Sequence, residues 1–396
     1  MPKMDYKEQV VHLCGKLAEI PSPPFKEKEI AILFEKMMTD LGFEKVWRDR
    51  LGNVIGEMAL SREEGPNVLL ASNLDSSLCL EEPYGTRFKP KIKGKKITGC
   101  GVAENKGSLA ASALAAVAIK EELSKEVKGK VIVAGISAGS FFAPLAAQEL
   151  FEQTKPNYVI VGGPTGLKVC IGQRGRAEII VENHGKCAPL AAFKKGVNAL
   201  GKMLPVLLTI EKEFLSHEDP TLGEGCLEII DIKASSSGPL WSVPDRCVAV
   251  FDRRVLPGEN KEEVLNEVRM IADGVAAFDL DLDVSVSIKK EDITTYTGTK
   301  ASVEIFEPAW VWEKKEKFLA SCMDALNKKG IIVETVLDTP IASGSYYAAV
   351  KGVPTIVFGP GDLMKRENGE EFVEVDELVT AFEGYKALIR AFLNRP

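Results

Sequence analysis

Short apolar runs alternate with segments of helical periodicity in the first part of the chain and again near its end. Residues 131–136 are a continuous apolar run, as expected for a parallel strand covered on both faces. The Ala-rich segment 107–123 and the stretch 375–394 have helical spacing. Residues 5–41 also have helical spacing, and a Ser-Pro-Pro sequence divides them into two predicted helices. This strand–helix alternation predicts an α/β domain built on a mainly parallel sheet.

The middle of the chain has a different order of elements. The pattern predicts, in sequence, a strand at 176–182, a helix over 189–214, strands at 227–233 and 246–254, a helix over 261–277 and a strand at 283–288. This β-α-β-β-α-β order is that of a ferredoxin-like unit. Sheet-type segments then resume, so we expect an insertion. Residues 1–172 and 292–396 would form the α/β domain, and residues 173–291 the inserted α+β domain.

The composition argues against two kinds of partner, nucleic acids and membranes. The 396 residues include 50 Lys or Arg and 57 Asp or Glu, which gives a formal net charge of −7. This balance argues against a nucleic-acid partner, because phosphate contacts need a basic surface. No run approaches the roughly 18 apolar residues of a membrane helix, and the first residues carry scattered charges. The eight cysteines form no CxxC pair, so we expect a cytoplasmic protein with reduced cysteines and no membrane partner.

Ordered motifs extend through nearly the whole chain. They are LAEIPSPP (17–24), NVLLASNLD (67–75), ITGCGVAENKGSLAA (97–111), VIVGGPTGL (159–167), IGQRGRAEIIVENHGK (171–186), VPDRCVAVFDRRVLPGE (243–259) and GVPTIVFGPGDL (352–363). Together they resemble the M20 family of zinc-dependent peptidases and amidohydrolases, which includes acetylornithine deacetylase, succinyl-diaminopimelate desuccinylase and carboxypeptidase G2. The resemblance implies a zinc-binding α/β domain with an inserted lid that often dimerises. It therefore also implies hydrolysis of amide or peptide bonds.

The resemblance also implies where two zinc ions and a general base would lie. The family's ligand positions are occupied in this sequence by Asn73, Glu104, Gly139, Gly163 and Glu367. The general-base position is occupied by Ala138 and Gly139. Asp75 stands where the family has an acid that orients a ligand.

These replacements remove the family's chemistry. Zinc catalysis needs about three protein ligands with nitrogen, sulfur or carboxylate donors and one open position, together with a base near the bound water. The chain has three histidines, His12, His184 and His217, and none falls at a ligand position. We therefore predict no metal cofactor. The sequence favours a non-hydrolytic pseudoenzyme with a binding or regulatory role.

A rebuilt metal site is one alternative that the sequence leaves open. Asp75, Glu104 and Glu367 together would offer only oxygen donors, which suit Mg²⁺ or Ca²⁺ better than zinc. The simpler interpretation is that Glu104 pairs with Lys106 or another cation. With a rebuilt site, the protein would be an active amidohydrolase that cleaves N-acyl amino acids or small peptides.

A cysteine nucleophile is a second alternative. The cysteines nearest the motifs are Cys79, Cys100, Cys170 and Cys187. Cys187 and His184 form the pair to test, since an adjacent base can activate a thiol. Single cysteines beside glycine turns are more often small packing residues.

Ligand binding is predicted at residues of both domains. Arg254 lies next to a Leu-Pro-Gly turn where the family can bind a substrate carboxylate, and a guanidinium suits that group. Pairing with Asp252 is its structural alternative. Tyr346 would stack on a ligand or fill the emptied zinc site, unless it packs in the core. With Asp75 and Glu104, these residues would bind a small carboxylate or an N-acyl amino acid. Because the lid of the family often dimerises, we expect a homodimer formed through the inserted domain.

Overall fold

The computed structural model describes residues 5–61, 63–77, 89–123, 127–332, 334–338, 344–367 and 370–394. The chain divides into two compact units. The larger comprises Met1–Gln173, Ile293–Ala301 and Val311–Pro396, and the smaller comprises Arg174–Asp292 and Ser302–Trp310. The predicted boundary put residues 302–310 in the larger unit, whereas they belong to the smaller one. A short strand in this segment, Phe306–Glu307, pairs with the strand Gly175–His184 of the smaller unit.

The described helices are α1 (Tyr6–Ala18), α2 (Lys28–Asp40), α3 (Gly107–Leu123), α4 (Gly139–Thr154), α5 (Ala199–Glu213), α6 (Lys261–Ala276), α7 (Lys317–Lys328) and α8 (Val375–Leu393). The strands of the two larger sheets are β1 (Lys45–Arg48), β2 (Val54–Ala59), β3 (Asn67–Asn73), β4 (Lys130–Ile136), β5 (Tyr158–Gly162), β6 (Val169–Cys170), β7 (Gly175–His184), β8 (Cys226–Ser235), β9 (Arg246–Val255), β10 (Asp283–Ile288), β11 (Phe306–Glu307), β12 (Thr335–Val336) and β13 (Thr355–Phe358). A smaller sheet pairs Lys91–Lys93, Lys96–Thr98, Arg366–Glu367 and Glu370–Glu374. None of the described helices is both long and apolar enough to cross a membrane.

The larger unit is built on a sheet with the strand order β1-β2-β4-β3-β5-β13-β6-β12. The central pairs β4·β3, β3·β5 and β5·β13 are parallel, whereas β1·β2 and β2·β4 at one edge are antiparallel. Nearly every residue of the central strands is buried, as continuous apolar runs require. The predicted α/β fold with a mainly parallel sheet is confirmed.

Helices α1, α3, α7 and α8 pack together, while α2 packs on β1 and β2, and α4 on β3 and β4. The alanines of α3 between Ala110 and Ala118 are buried, so their small side chains allow a close approach to α8. Tyr385 of α8 donates from its hydroxyl group to the carbonyl oxygen of Phe358 at 2.7 Å. This bond fixes α8 at the end of β13.

The smaller unit is an antiparallel sheet with the order β8-β9-β7-β10, and β11 pairs with β7. Helices α5 and α6 pack on this sheet and on each other. Each begins at an asparagine. Asn198 accepts from the amide of Gly201 at 3.0 Å, and Asn260 forms a capping box with Glu263. The order β7-α5-β8-β9-α6-β10 confirms the predicted ferredoxin-like arrangement.

The helix predicted over 189–214 is two separate elements. Leu190–Lys195 forms a 3₁₀ turn, and α5 begins only at Ala199. Between them the backbone is extended at Gly196, and Lys186 pairs with Val197 as an isolated β-bridge. The bridge and the Asn198 cap therefore stop one continuous helix from forming.

Candidate functional site

The central strands of the large sheet end at one edge. Asn73 is the last residue of β3, Gly139 begins α4 shortly after β4, and Gly163 follows β5 directly. Because β3, β4 and β5 are parallel, these three positions lie along the same edge. Ligands of open α/β sheets bind in the crevice outside the carboxyl ends of the strands. The three predicted positions are therefore at the edge where a site is expected.

Residues 137–140 form the turn between β4 and α4, and side chains bind each of its backbone amides. The amide of Ser137 donates to Oδ1 of Asn53 at 2.9 Å. The amide of Ala138 donates to Oε1 of Glu27 at 2.8 Å. The next two amides donate to the carboxylate of Asp75, at 2.9 and 3.1 Å. Ala138 is left-handed, with φ of 51°, and these bonds hold that unfavourable conformation.

Gly139 has no room for a side chain. An ideal Cβ at this position would lie 2.1 Å from Oδ1 of Asn73. Contacts this short do not occur, so a residue other than glycine would force Asn73 or the turn to move. The Asn73 amide group therefore occupies the volume into which a carboxylate at position 139 would extend.

The acids beneath the turn are fully buried. Burial, helped by the negative charge of Glu27, raises the pKa of Asp75 to about 7. Burial also raises the pKa of Glu27, against the opposing effect of the amides that donate to it. Two buried acids this close favour the protonated form of one of them near neutral pH.

Glu104 lies in a π-helical turn, Val102–Lys106, that leads into α3. Its carboxylate is fully buried and accepts from the hydroxyl group of Ser76. It also accepts from the amide of Ser77 at 3.0 Å and from its hydroxyl group at 2.7 Å. Both Asp75 and Glu104 are enclosed and already hydrogen-bonded in this structure, and their contact with a ligand stays a prediction.

Glu371 is a site residue that the sequence analysis missed. It is 5% exposed, and its carboxylate accepts from the amides of Gly101, Ala103 and Glu104 at the start of the π-helical turn. Burial raises its pKa to about 7. The available signal was the alternation in residues 370–374, which places Glu371 on the same strand face as the buried Val373.

Lys106 is a buried cation that interacts with the charges of Glu371 and Glu104. It is fully buried, and its ammonium group donates to the carbonyl oxygen of Ile20 at 2.8 Å. Burial lowers its pKa to about 8, although the charges of Glu371 and Glu104 act in the opposite direction. Glu104 and Lys106 thus interact through their charges within a buried cluster that also includes Glu371, and their direct pairing stays a prediction.

The remaining ligand positions offer no described donor. Gly163 has no side-chain ligand atom, and the nearby hydroxyl group of Thr165 is bonded to the backbone of Gly359. Glu367 lies in the strand Arg366–Glu367, which pairs with Glu370–Glu374, but its side chain is outside the described part of the structure. The proposed cation site at Asp75, Glu104 and Glu367 therefore remains a prediction.

Tyr346 begins a second π-helical turn, Tyr346–Val350. Its ring is half-buried and packs edge-on against Phe151 of α4, with a centroid separation of 6.2 Å. The ammonium group of Lys351 lies 5.5 Å from the same ring. Of the roles predicted for Tyr346, these contacts favour packing in the core over stacking on a ligand.

Arg254 lies on β9 of the smaller unit, and its side chain is 45% exposed. Its Nε is 3.4 Å from Asp252, whose other oxygen accepts from Arg176 at 2.6 Å. Arg254 is therefore paired only loosely and can still bind an anion. The neighbouring Arg253 is fully buried and pairs with Glu259 at 2.8 Å.

Cys187 and His184, the pair named as an alternative nucleophile site, each contact another residue. His184 lies 3.2 Å from Glu182, whereas the thiol of Cys187 is 3.2 Å from the hydroxyl group of Ser236, so the two side chains have different partners. Cys170 is buried, as a packing residue would be. The expectation that all cysteines are reduced is wrong for Cys100, which is disulfide-bonded. Cys79 lies outside the described residues.

Another cluster lies in the smaller unit. Within the described part of the chain, His217, Glu259 and Glu267 are the single group of histidine, cysteine or acidic residues close enough to share a metal ion. His217 Nε2 lies 3.1 Å from Glu267, and Arg253 lies between the two glutamates. The guanidinium already supplies a positive charge there. Among the described residues, Nε of Arg253 and Oε2 of Glu267 are nevertheless buried without a hydrogen-bond partner.

Comparisons with known proteins agree with this architecture. A model of the family described as Peptidase family M20/M25/M40 matches residues 69–391. The Escherichia coli (strain K12) relative named Uncharacterized protein YgeY is 28% identical over 401 residues, covering 98% of this chain and 96% of the relative. A Staphylococcus aureus tripeptidase structure has a TM-score of 0.73 at 17% identity, covering 98% of this chain and 99% of that chain. A dinuclear metal-binding M20 peptidase of Bacillus subtilis, YXEP, has a TM-score of 0.67 at 16% identity, with 98% and 99% covered.

The contact between Gly139 and Asn73 can be tested by a double-mutant cycle. Gly139→Ala is expected to reduce the free energy of unfolding by about 1–3 kcal/mol, because the new methyl group overlaps Asn73. In an Asn73→Ala background, the same substitution should reduce the free energy of unfolding by less. Gly274→Ala in α6 is the control, since a Cβ there meets nothing within 4 Å. The free energies are measured by urea unfolding. An equal reduction in both backgrounds would disprove the steric explanation.

The free energy of unfolding should also fall as the pH rises from about 4 to about 7. Folding raises the pKa of Asp75 from 3.8 to about 7, so the folded state favours the protonated carboxyl group. The resulting stabilisation is complete below pH 3.8 and is lost as the pH rises to about 7. The effect is at most about 4 kcal/mol. Asp75→Asn should flatten this slope in denaturant titrations at several pH values, while exposed Asp40→Asn should not. An unchanged slope in Asp75→Asn would contradict the assignment.

Proposed function

Because the chain belongs to peptidase family M20/M25/M40, we propose that it is a non-hydrolytic member with a binding or regulatory role. One observation carries this proposal: the side chain of Asn73 fills the space beside Gly139. The family resemblance puts both a metal ligand and the general base near this position. A base that activates water must come within hydrogen-bond reach of it. Neither Ala138 nor Gly139 has a side chain that can accept a proton.

A pair of zinc ions does not fit the described donors. Zinc sites use thiolate, imidazole and carboxylate ligands. The predicted ligand positions include two glycines, and Asn73 presents a neutral amide. The carboxylates of Glu104 and Asp75 are directed at Ser76 and Ser77 and at the amides that begin α4. We therefore derive no catalytic step through a metal ion.

Anion binding is the role we propose for Arg254. Its exposed guanidinium can form two parallel hydrogen bonds with a carboxylate. This geometry supports a small carboxylate or an N-acyl amino acid as the ligand. The proposal also includes a cytoplasmic location. The reduced thiols of Cys14, Cys170 and Cys322 support it, whereas the disulfide bond of Cys100 opposes it.

An active amidohydrolase is the second candidate function. Family membership favours it, and the cluster of His217, Glu259 and Glu267 is a described group that could hold a metal ion. The pairing of Arg253 with both glutamates opposes this candidate, because a cation would have to compete with a buried guanidinium.

We further propose a homodimer formed through the smaller unit. Strand β8 lies at the edge of its sheet and exposes Ile229, Ile230 and Ile232 to 40, 52 and 42%. Leu204 and Leu208 of α5, which contacts β8, are 49 and 64% exposed. An exposed, apolar edge strand is a template for pairing with another chain.

The loss of hydrolysis can be tested on protein purified without chelator. We expect less than stoichiometric zinc by elemental analysis, and no turnover of N-acetyl amino acids or dipeptides above buffer. His217→Ala is the matched variant, because it removes the imidazole from the second candidate site. Stoichiometric metal, together with turnover that a chelator abolishes, would overturn the proposal. Loss of both in His217→Ala would then locate the active site in the smaller unit.

The dimer can be tested by light scattering on a sizing column. The natural chain should have twice its mass of 43.1 kDa. The double variant Ile230→Asp/Leu208→Asp should be a monomer, because two buried charges at the apolar edge would lack partners. Met270→Asp is the control, since Met270 is 69% exposed on α6, away from β8. A monomeric natural chain, or a dimer that survives the double substitution, would refute the interface.

A further inference from the structure

The smaller unit has an exposed apolar surface, formed by residues 185–198 and 236–244, that the proposed function does not use. We call this surface the basic corner. Its four large apolar side chains are exposed by 52 to 88%, namely Leu190, Phe193, Leu240 and Trp241. Apolar side chains clustered on a surface mark a place where another molecule binds more often than isolated ones do.

Backbone pairing joins the two segments of the basic corner. The amide of Leu190 donates to the carbonyl oxygen of Trp241 at 2.9 Å, and that of Val243 to Ala188 at 2.8 Å. Trp241 has φ of 67°, a left-handed conformation that costs a residue with a side chain about 1–3 kcal/mol. The indole is 80% exposed, and its backbone is already fixed. Binding a partner therefore costs it little conformational entropy.

A groove crosses the basic corner. Its volume is about 380 Å³, and it is lined by Leu190, Phe193, Lys194, Gly196, Asn198 and Val243. This volume is enough for one large side chain of a partner. The groove therefore offers an apolar pocket with a cation at its wall.

The charge of the basic corner is opposite to that of the chain. Its two segments contain Lys186, Lys194 and Lys195 but no Asp or Glu, whereas the whole chain has a net charge of −7. All three lysines are exposed, and within the described part of the structure none of them forms an ion pair. The next acid along the chain, Asp245, is bonded to Ser237. The positive charge is thus available to a partner.

We propose that the basic corner binds an acidic peptide segment of a partner protein. An aromatic or aliphatic side chain of that segment would occupy the groove, and its carboxylates would pair with Lys194 and Lys195. A concave pocket suits a peptide side chain better than it suits the flat surface of a lipid bilayer. A nucleic acid would need a longer basic track than three lysines provide.

The experiment selects binders of the full chain from a random library of displayed dodecapeptides. The selected peptides should be enriched in Asp or Glu together with Trp, Phe or Leu. The affinity of the best peptide is then measured by fluorescence anisotropy. Lys194→Glu/Lys195→Glu should weaken binding about tenfold or more, because it reverses two charges at the groove. Lys314→Glu/Lys315→Glu, two adjacent exposed lysines of the larger unit, makes the same charge change and should leave the affinity unchanged.

The apolar contribution is measured with the same peptide. Trp241→Ala should weaken binding about tenfold, whereas Met270→Ala, 69% exposed on α6, should not. Both effects together support the proposal. It would be overturned by selected peptides without acidic enrichment, or by equal affinities in the two double-lysine variants. Binding of phosphatidylserine vesicles or single-stranded RNA that needs Lys194 and Lys195, in the absence of peptide binding, would also overturn it.

Discussion

Four consecutive backbone amides, those of residues 137–140, are bound by side chains from three distant parts of the chain. Asn53 accepts from the first, Glu27 from the second and Asp75 from the last two. These bonds hold Ala138 in a left-handed conformation and set the direction in which α4 begins. Burying two carboxylates costs free energy that only specific hydrogen bonds recover. The turn therefore dictates the packing at this edge of the sheet.

The same solution recurs at the start of α3. Glu371 accepts from the amide of Gly101, which precedes the π-helical turn, and from two amides within it, just as Asp75 and Glu27 accept from those before α4. An anion beside the amino end of a helix is favourable, because the free amides and the helix dipole both point toward it. Each carboxylate used in this way faces the protein's own backbone rather than a ligand. The buried acids at this edge thus stabilise the fold.

Most of the fold could be predicted from the sequence, because the signals are local. The apolar runs predicted the central strands, and the helical spacing predicted α1, α2, α3 and α8. The site was harder, since its contacts join residues far apart in the chain. Nothing near Glu27 or Glu371 in the sequence says which amides it will bind. The helix predicted over 189–214 failed for a related reason, because the β-bridge between Lys186 and Val197 is a tertiary contact.

The two units also differ in what they leave for binding. In the larger unit, the acids at the sheet edge are enclosed and bonded, so a ligand that used them would have to disrupt backbone hydrogen bonds. The smaller unit instead exposes Ile230, Leu208 and Trp241, together with Arg254, whose charge is only loosely paired. The exposed apolar side chains and the loosely paired guanidinium are available to a ligand without rearrangement. The exposed surface of the smaller unit uses none of the predicted metal-ligand positions, so the proposed binding role does not depend on a metal ion.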